Sequence, residues 1–162
     1  MRFADRPPVV RRVVLCSARL AAAEIGRMAS ETIDRLFAAA VAARQNAYAP
    51  YSGFPVGAAL LTREGAVFAG ANVENAAYPA GLCAEASAIA AMVAAGEREI
   101  AEILIVADAA EPVMPCGSCR QRLFEFAAAD MKVHSARLSG LSGSLTLGEL
   151  LPHAFGPKSL ER

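Results

Sequence analysis

Two short stretches hold the residue types that could do chemistry. Cys83-Ala84-Glu85 sets a thiol two positions ahead of a carboxylate, and Pro115-Cys116-Gly117-Ser118-Cys119 contains a C-x-x-C. The chain has four cysteines and two histidines, and no apparent secretory signal. That pattern reads as metal or redox chemistry in a reducing, cytoplasmic compartment rather than a disulfide framework. Both stretches fall where helices are expected to begin, and the two helices flank one buried apolar run. Packed on one face of a sheet, their N-termini would bring Cys83, Cys116 and Cys119 to a point facing the positive ends of both helix dipoles, which favours thiolates. Three thiolates leave the fourth position of a tetrahedral zinc open, the mark of a catalytic site. Glu85 is badly aimed to be a ligand but well placed to move protons beside a water. His134 and His153 lack ligand-like spacing from any cysteine, and both read as structural. His134 is expected on the exposed face of its strand with Lys132.

The elements that must position these residues follow from periodicity and punctuation. Ile33, Leu36, Phe37, Ala40 and Val41 recur at helical spacing, which predicts an amphipathic helix over 31–47 with Ser30 as its N-cap. Proline and glycine at 50–55 break it into a loop. Apolar runs at 56–61 and 66–73 around Arg63-Glu64-Gly65 predict a hairpin. A helix is expected over 83–95 with Gly96 as its C-terminal stop. Strand 103–107, helix 117–128, strand 131–138, a weaker strand 144–147 and a helical turn with tail over 148–155 complete the order. An α-β-β-α-β-α-β-β order predicts an α/β fold, a three-layer α/β/α sandwich around one mixed five-stranded sheet.

Composition bounds the partners. Sixteen basic residues balance sixteen acidic ones among 162. A neutral chain with few aromatics lacks the field and stacking surface that polynucleotides demand, so no nucleic acid is expected. The longest helix-like apolar run, 37–43, is far short of a membrane span, so no membrane partner is expected either. Residues 1–29 differ from the rest, with Arg2, Arg6, Arg11, Arg12, Arg19 and Arg27 against Asp5 and Glu24. They read as a disordered extension with Cys16 as a free thiol, as a segment with some transit-peptide character, or as an overcalled start, Met28 being the natural beginning. Residues 30–156 then form the catalytic domain and 157–162 a tail.

The combination of C-x-E with a distant P-C-x-x-C is the zinc nucleobase-deaminase signature. More closely, the chain resembles the small homotetrameric cytidine deaminases from about residue 31 to residue 156. The resemblance rests on Ala49-Pro-Tyr-Ser-Gly-Phe-Pro-Val-Gly-Ala-Ala-Leu-Leu, Asn72-Val-Glu-Asn-Ala-Ala-Tyr-Pro, Cys83-Ala-Glu, Pro115-Cys-Gly-Ser-Cys-Arg-Gln and Glu149-Leu-Leu-Pro. It implies one Zn²⁺ per subunit on Cys83, Cys116 and Cys119, and hydrolysis of cytidine and deoxycytidine to the uridines with loss of ammonia, a pyrimidine-salvage step. Zinc lowers the pKa of its water towards ~7. Glu85 would take that water's proton, deliver one to ring N3 and help the amine leave. For the nucleoside, the resemblance implies Phe54 against the pyrimidine, Asn72 and Glu74 on the ribose hydroxyls, and Ala84 among the contacts. Two residues apart at the end of a strand, Asn72 and Glu74 point to the same face. Tyr78 and Phe155 are implied to reach a neighbouring subunit's pocket, so that a homotetramer completes its sites across interfaces.

One position departs from the pattern. Many homotetrameric relatives carry an arginine after C-A-E that bonds the zinc thiolates; here Ala86 stands there. Three thiolates and one Zn²⁺ leave a charge of about −1, to be offset from outside the ligand set. The two helix N-termini and Arg120 are the candidates. Blasticidin-S deaminases share the zinc motifs without that arginine, and Asn72, Glu74 and Phe54 favour a plain nucleoside over them. Taken alone, the cysteine motifs would also suit a polynucleotide-editing deaminase or a structural zinc module.

Overall fold

The structure, a computed structural model, describes residues 10–160. The residues before Val10, the last two of the tail and the side chain of Cys16 lie outside what is described. By contact density the chain divides into two units, Met1–Asp34 and Arg35–Arg162. Helix α1 runs Val10–Gln45, so Ser30, expected as a cap, lies within it. Its amide finds an acceptor one turn back, and the alanines before it favour helix, so nothing stops the helix there. No helix among the described residues is long and apolar enough to cross a membrane.

In the second unit the sheet comprises β1 (Val56–Thr62), β2 (Val67–Ala71), β3 (Ile100–Ala107), β4 (Lys132–Arg137) and β5 (Gly140–Thr146), in the order β2-β1-β3-β4-β5. Only β3 and β4 pair in parallel, joined by α3 (Gly117–Phe126); the other pairs are antiparallel. Helix α2 (Ala84–Ala94) joins β2 to β3. Two glycines show which helix covers which face. A Cβ on Gly57 would run into the carbonyl of Ala40 and stand 2.8 Å from Arg44 Cβ, so the part of α1 within this unit, residues 35–45, lies directly on β1. A Cβ on Gly70 would run into the amide of Ala88 and stand 2.6 Å from Ser87 Cβ, so α2 lies as closely on β2. Gly70 pairs with Ala58, the neighbour of Gly57, and adjacent strand residues face opposite ways. The helices therefore take opposite faces, giving the α/β/α sandwich. Ala58, Leu60, Ile103, Ile105 and Val133 form the core on the α2 face with Ala88, Met92, Leu123 and Leu147. Leu36 and Ala40 of α1 are buried on the other.

The departures from expectation have local causes. Strand β5 begins at Gly140 rather than near 144 because its Gly-Leu-Ser-Gly-Ser start has little strand preference of its own; register with β4 supports it. That pairing makes β4 an inner strand. His134 is consequently buried, at 7% exposure, with Nδ1 2.6 Å from Ser144 Oγ and Nε2 3.3 Å from Glu102 Oε2. Burial lowers its pKa, against the pull of Glu102. The last helical turn, α4 (Leu147–Leu150), starts earlier than expected because Thr146 and Glu149 form a capping box.

Candidate active site

Two helices carry the site, and packing fixes where each begins. Cys83 is the N-cap of α2, with extended backbone. Besides the contact at Gly70, Ser87 Oγ donates to Ala71 O at 2.9 Å and to Cys83 O at 3.3 Å, tying the end of β2 to the start of α2. Cys116 is the N-cap of α3, and Cys119 lies in that helix's first turn, fully buried. The three sulfurs lie within 4.8 Å of one another, with Cys83 and Cys116 at 4.0 Å. Zinc–sulfur bonds of about 2.3 Å place tetrahedral sulfurs about 3.8 Å apart, so a small inward adjustment fits the ion.

The electrostatics point the same way. Glu85, in the first turn of α2, is 5% exposed. Burial pushes its carboxyl up, against its own backbone N–H, the Cys119 thiol and the Arg122 guanidinium. Burial also pushes Cys119 up, reinforced by the negative charge of Glu85, Cys83 and Cys116. Cys83 rises too, from burial first and then from its anionic neighbours, with the Cys119 thiol opposing. At Cys116 burial is outweighed by the Cys119 N–H and by the Cys119 and Cys83 thiols, and the net shift is downward. Four acidic groups crowded this way repel one another as anions, and a dication reverses that by holding thiols deprotonated. The donor set therefore fits zinc: three sulfurs, no fourth protein ligand among the described residues, and a buried carboxylate alongside.

The second wall of the site is made of loop. Strand β2 stops at Ala71, but Val73 bridges to Tyr48 on one side and Leu82 on the other, so the chain stays extended past the strand end. Asn72 and Glu74 both turn to the loop at 51–56. Asn72 Oδ1 accepts from Val56 N at 2.8 Å while its Nδ2 donates to Phe54 O at 3.0 Å. Glu74 Oε2 accepts from Tyr51 N at 2.8 Å and Ser52 N at 3.1 Å. Gly53, at φ 64°, lets that loop close, and its amide donates to Ala49 O. A cavity of about 360 Å³ opens here, lined by Tyr51, Ser52, Glu74, Asn75, Tyr78 and Gly81. Tyr78 stands edge-on to Tyr51 at 6.2 Å between ring centroids and is 78% exposed.

The remaining expected residues fall in different settings. Ala84 is buried in the core, which leaves its backbone as the part able to meet a ligand. Phe54 is partly exposed at the loop. Phe155 lies beyond α4, 60% exposed, with its carbonyl accepting from Gln121 Nε2 at 2.6 Å. Ala86 is buried, and Arg120, a candidate to offset the site's charge, spends its hydrogen bonds on the carbonyls of Pro115 and Leu150. The cation that bears on Glu85 is Arg122, which sequence reasoning passed over. Its signal was its place on α3, three residues after Cys119.

A buried carboxylate at a three-sulfur centre between two helix starts suits a metal-dependent hydrolase. Residues 30–135 match the family described as the cytidine and deoxycytidylate deaminase zinc-binding region, and the chain belongs to it. It is 48% identical over 116 residues to the cytidine deaminase of Halalkalibacterium halodurans, covering 72% of this chain and 88% of that one. Against the cytidine deaminase of Mycobacterium tuberculosis the identity is 40% over 124 residues, 76% of this chain and 89% of that one. Among solved structures, the cytidine deaminase of Burkholderia pseudomallei superposes with a TM-score of 0.72 at 45% identity, covering 75% of this chain and 98% of that one.

Proposed function

We propose that this protein is a zinc-dependent cytidine deaminase, converting cytidine and deoxycytidine with water to uridine and deoxyuridine plus ammonia. The observation that carries this is Glu85, a carboxylate buried against three convergent sulfurs that have no fourth protein ligand among the described residues. Zinc on Cys83, Cys116 and Cys119 would supply an activated water near neutral pH. Glu85, its proton affinity raised by desolvation, accepts a proton from the attacking water. It delivers that proton to ring N3 as the C4–O bond forms. It then carries the second water proton from the C4 hydroxyl to the amine, so that the C4–N bond breaks, the C4 carbonyl forms and ammonia leaves. Asn72 and Glu74 hold the ribose hydroxyls on the loop wall, Phe54 packs on the pyrimidine, and the backbone of Ala84 meets the base. Residues 30–156 form the catalytic domain.

Tyr78 and Phe155 expose more aromatic surface than a finished site leaves bare, which supports their insertion into neighbouring subunits of a homotetramer. A cytoplasmic setting agrees with reduced thiols. A structural zinc module would need a fourth protein ligand, and among the described residues the cluster comprises only the three cysteines. The test is the ultraviolet change when cytidine meets zinc-loaded protein, with blasticidin S and single-stranded DNA in parallel. Turnover of cytidine and deoxycytidine alone is expected. Turnover of blasticidin S alone would reassign the substrate, and an inert protein with four ligands on its metal would overturn the enzyme reading.

A further inference from the structure

Cys116 is an exposed N-cap whose sulfur meets only the Cys119 N–H and the neighbouring thiols, so its place depends largely on the backbone at 115–116. That backbone ends a stretch without regular structure, and Pro115 brings no N–H to hold it. Arg120 supplies the restraint. Its amide donates to Cys116 O at 3.0 Å, and its Nε donates to Pro115 O at 2.8 Å. The same guanidinium reaches across with Nη1 to Leu150 O at 3.0 Å. Leu150 is the last residue of α4, where carbonyls lack helical partners and favour a cation. Helix α4 is itself a firm anchor. Leu147 and Leu150 are buried, its capping box is complete, and the amides of Leu147 and Gly148 donate to Met131 O and Ala129 O at 2.9 and 2.7 Å. The next residues of α3 extend the contact. Gln121 holds Phe155 O, and the ring of Phe124 lies where a Cβ on Gly156 would stand, 3.2 Å from Cδ1.

We propose that Arg120 is a positioning residue for Cys116, and that the segment 150–156 is thereby a working part of the metal centre. The proposal rests on the zinc reading of the three cysteines. The planar guanidinium reaches two carbonyls at once from a fixed fork, which the single ammonium of lysine does not reproduce. The role is geometric: the fork references the loop before Cys116 to α4.

The experiment follows zinc release to a colorimetric chelator from zinc-loaded protein, together with melting temperatures of the zinc-loaded and metal-free forms. Arg120→Lys and Arg120→Gln should both release zinc about 10- to 100-fold faster than wild type. The interval between the two melting temperatures should narrow, whereas a purely structural role lowers both equally and leaves release unchanged. Glu149→Gln, which loosens α4 while keeping Arg120, should speed release by a few-fold and covers the case in which the Arg120 variants do not fold. Wild-type release rates in Arg120→Lys, whether or not Arg120→Gln is altered, would overturn the fork; an unchanged rate in Glu149→Gln would overturn the anchor. A wild-type chain that takes up no zinc would bring down the metal reading itself.

Discussion

The two walls of the site are built by opposite means. The sulfur wall stands on regular structure: two helix starts, a glycine contact that admits no side chain, and a carboxylate closed off from water. The loop wall around Asn72, Glu74 and Tyr78 is irregular, open, and held together by side chains bonding backbone amides. The first wall has its geometry before any ligand arrives. In the second, Asn72 and Glu74 already bond the loop at 51–56, so the groups assigned to the ribose also shape the wall that receives it. On the proposed function, chemistry falls on the regular side and recognition on the irregular one.

That contrast can be broken most severely at Glu85. Glu85→Gln should lower kcat by about 10²- to 10⁴-fold while zinc content and melting temperature stay near wild type. Near-normal turnover in that variant would remove the carboxylate from the mechanism. A smaller effect is expected from Gly70→Ala, since the new Cβ forces α2 away from β2. It should destabilise the fold by about 1–3 kcal/mol and lower kcat through displacement of Cys83 and Glu85. Calorimetry and steady-state rates read both; an unshifted melting temperature would contradict the close contact.

The loop wall should respond in binding instead. Glu74→Gln is expected to raise KM for cytidine about tenfold with kcat changed less. The Ser52 hydroxyl above all, against the opposing effect of burial and with help from the Tyr51 and Ser52 amides, holds the Glu74 carboxyl below its ordinary value. A carboxylate with a lowered folded pKa contributes fully above its unfolded pKa and loses that contribution as pH falls through the folded one. Protection of the Tyr51 and Ser52 amides against hydrogen exchange should therefore persist to below the ordinary carboxylate range and then fall. In Glu74→Gln it should be weak at every pH, without that step.

What was legible in the sequence follows the same division. Cys83, Glu85, Cys116 and Cys119 could be read because their chemistry needs those residue types, and helix starts are announced locally by glycine and proline. The mixed five-stranded sheet was legible from apolar runs and crossover helices; its strand order was not. The start of α1 was misjudged at Ser30 because a cap signal means little where the preceding residues are already helical. His134 was expected on an exposed face because its burial depends on β5, whose glycines and serines announce no strand. Arg120 drew attention for its charge alone, since one of its partners is a carbonyl thirty residues away, and a carbonyl has no letter in the sequence. Thr146-x-x-Glu149 was the signal available for α4 and was overlooked.

Cysteine is an odd choice at a helix start, and this chain makes it twice. A cysteine sulfur is at best a weak acceptor for the free N–H groups of a helix start, where a serine or aspartate oxygen would contribute about 1 kcal/mol. As a bare polypeptide, the protein would be steadier with oxygen at either position. Evolution of this chain towards stability alone would thus run through Cys83→Ser or Cys116→Ser, and would end in a well-folded protein without its metal.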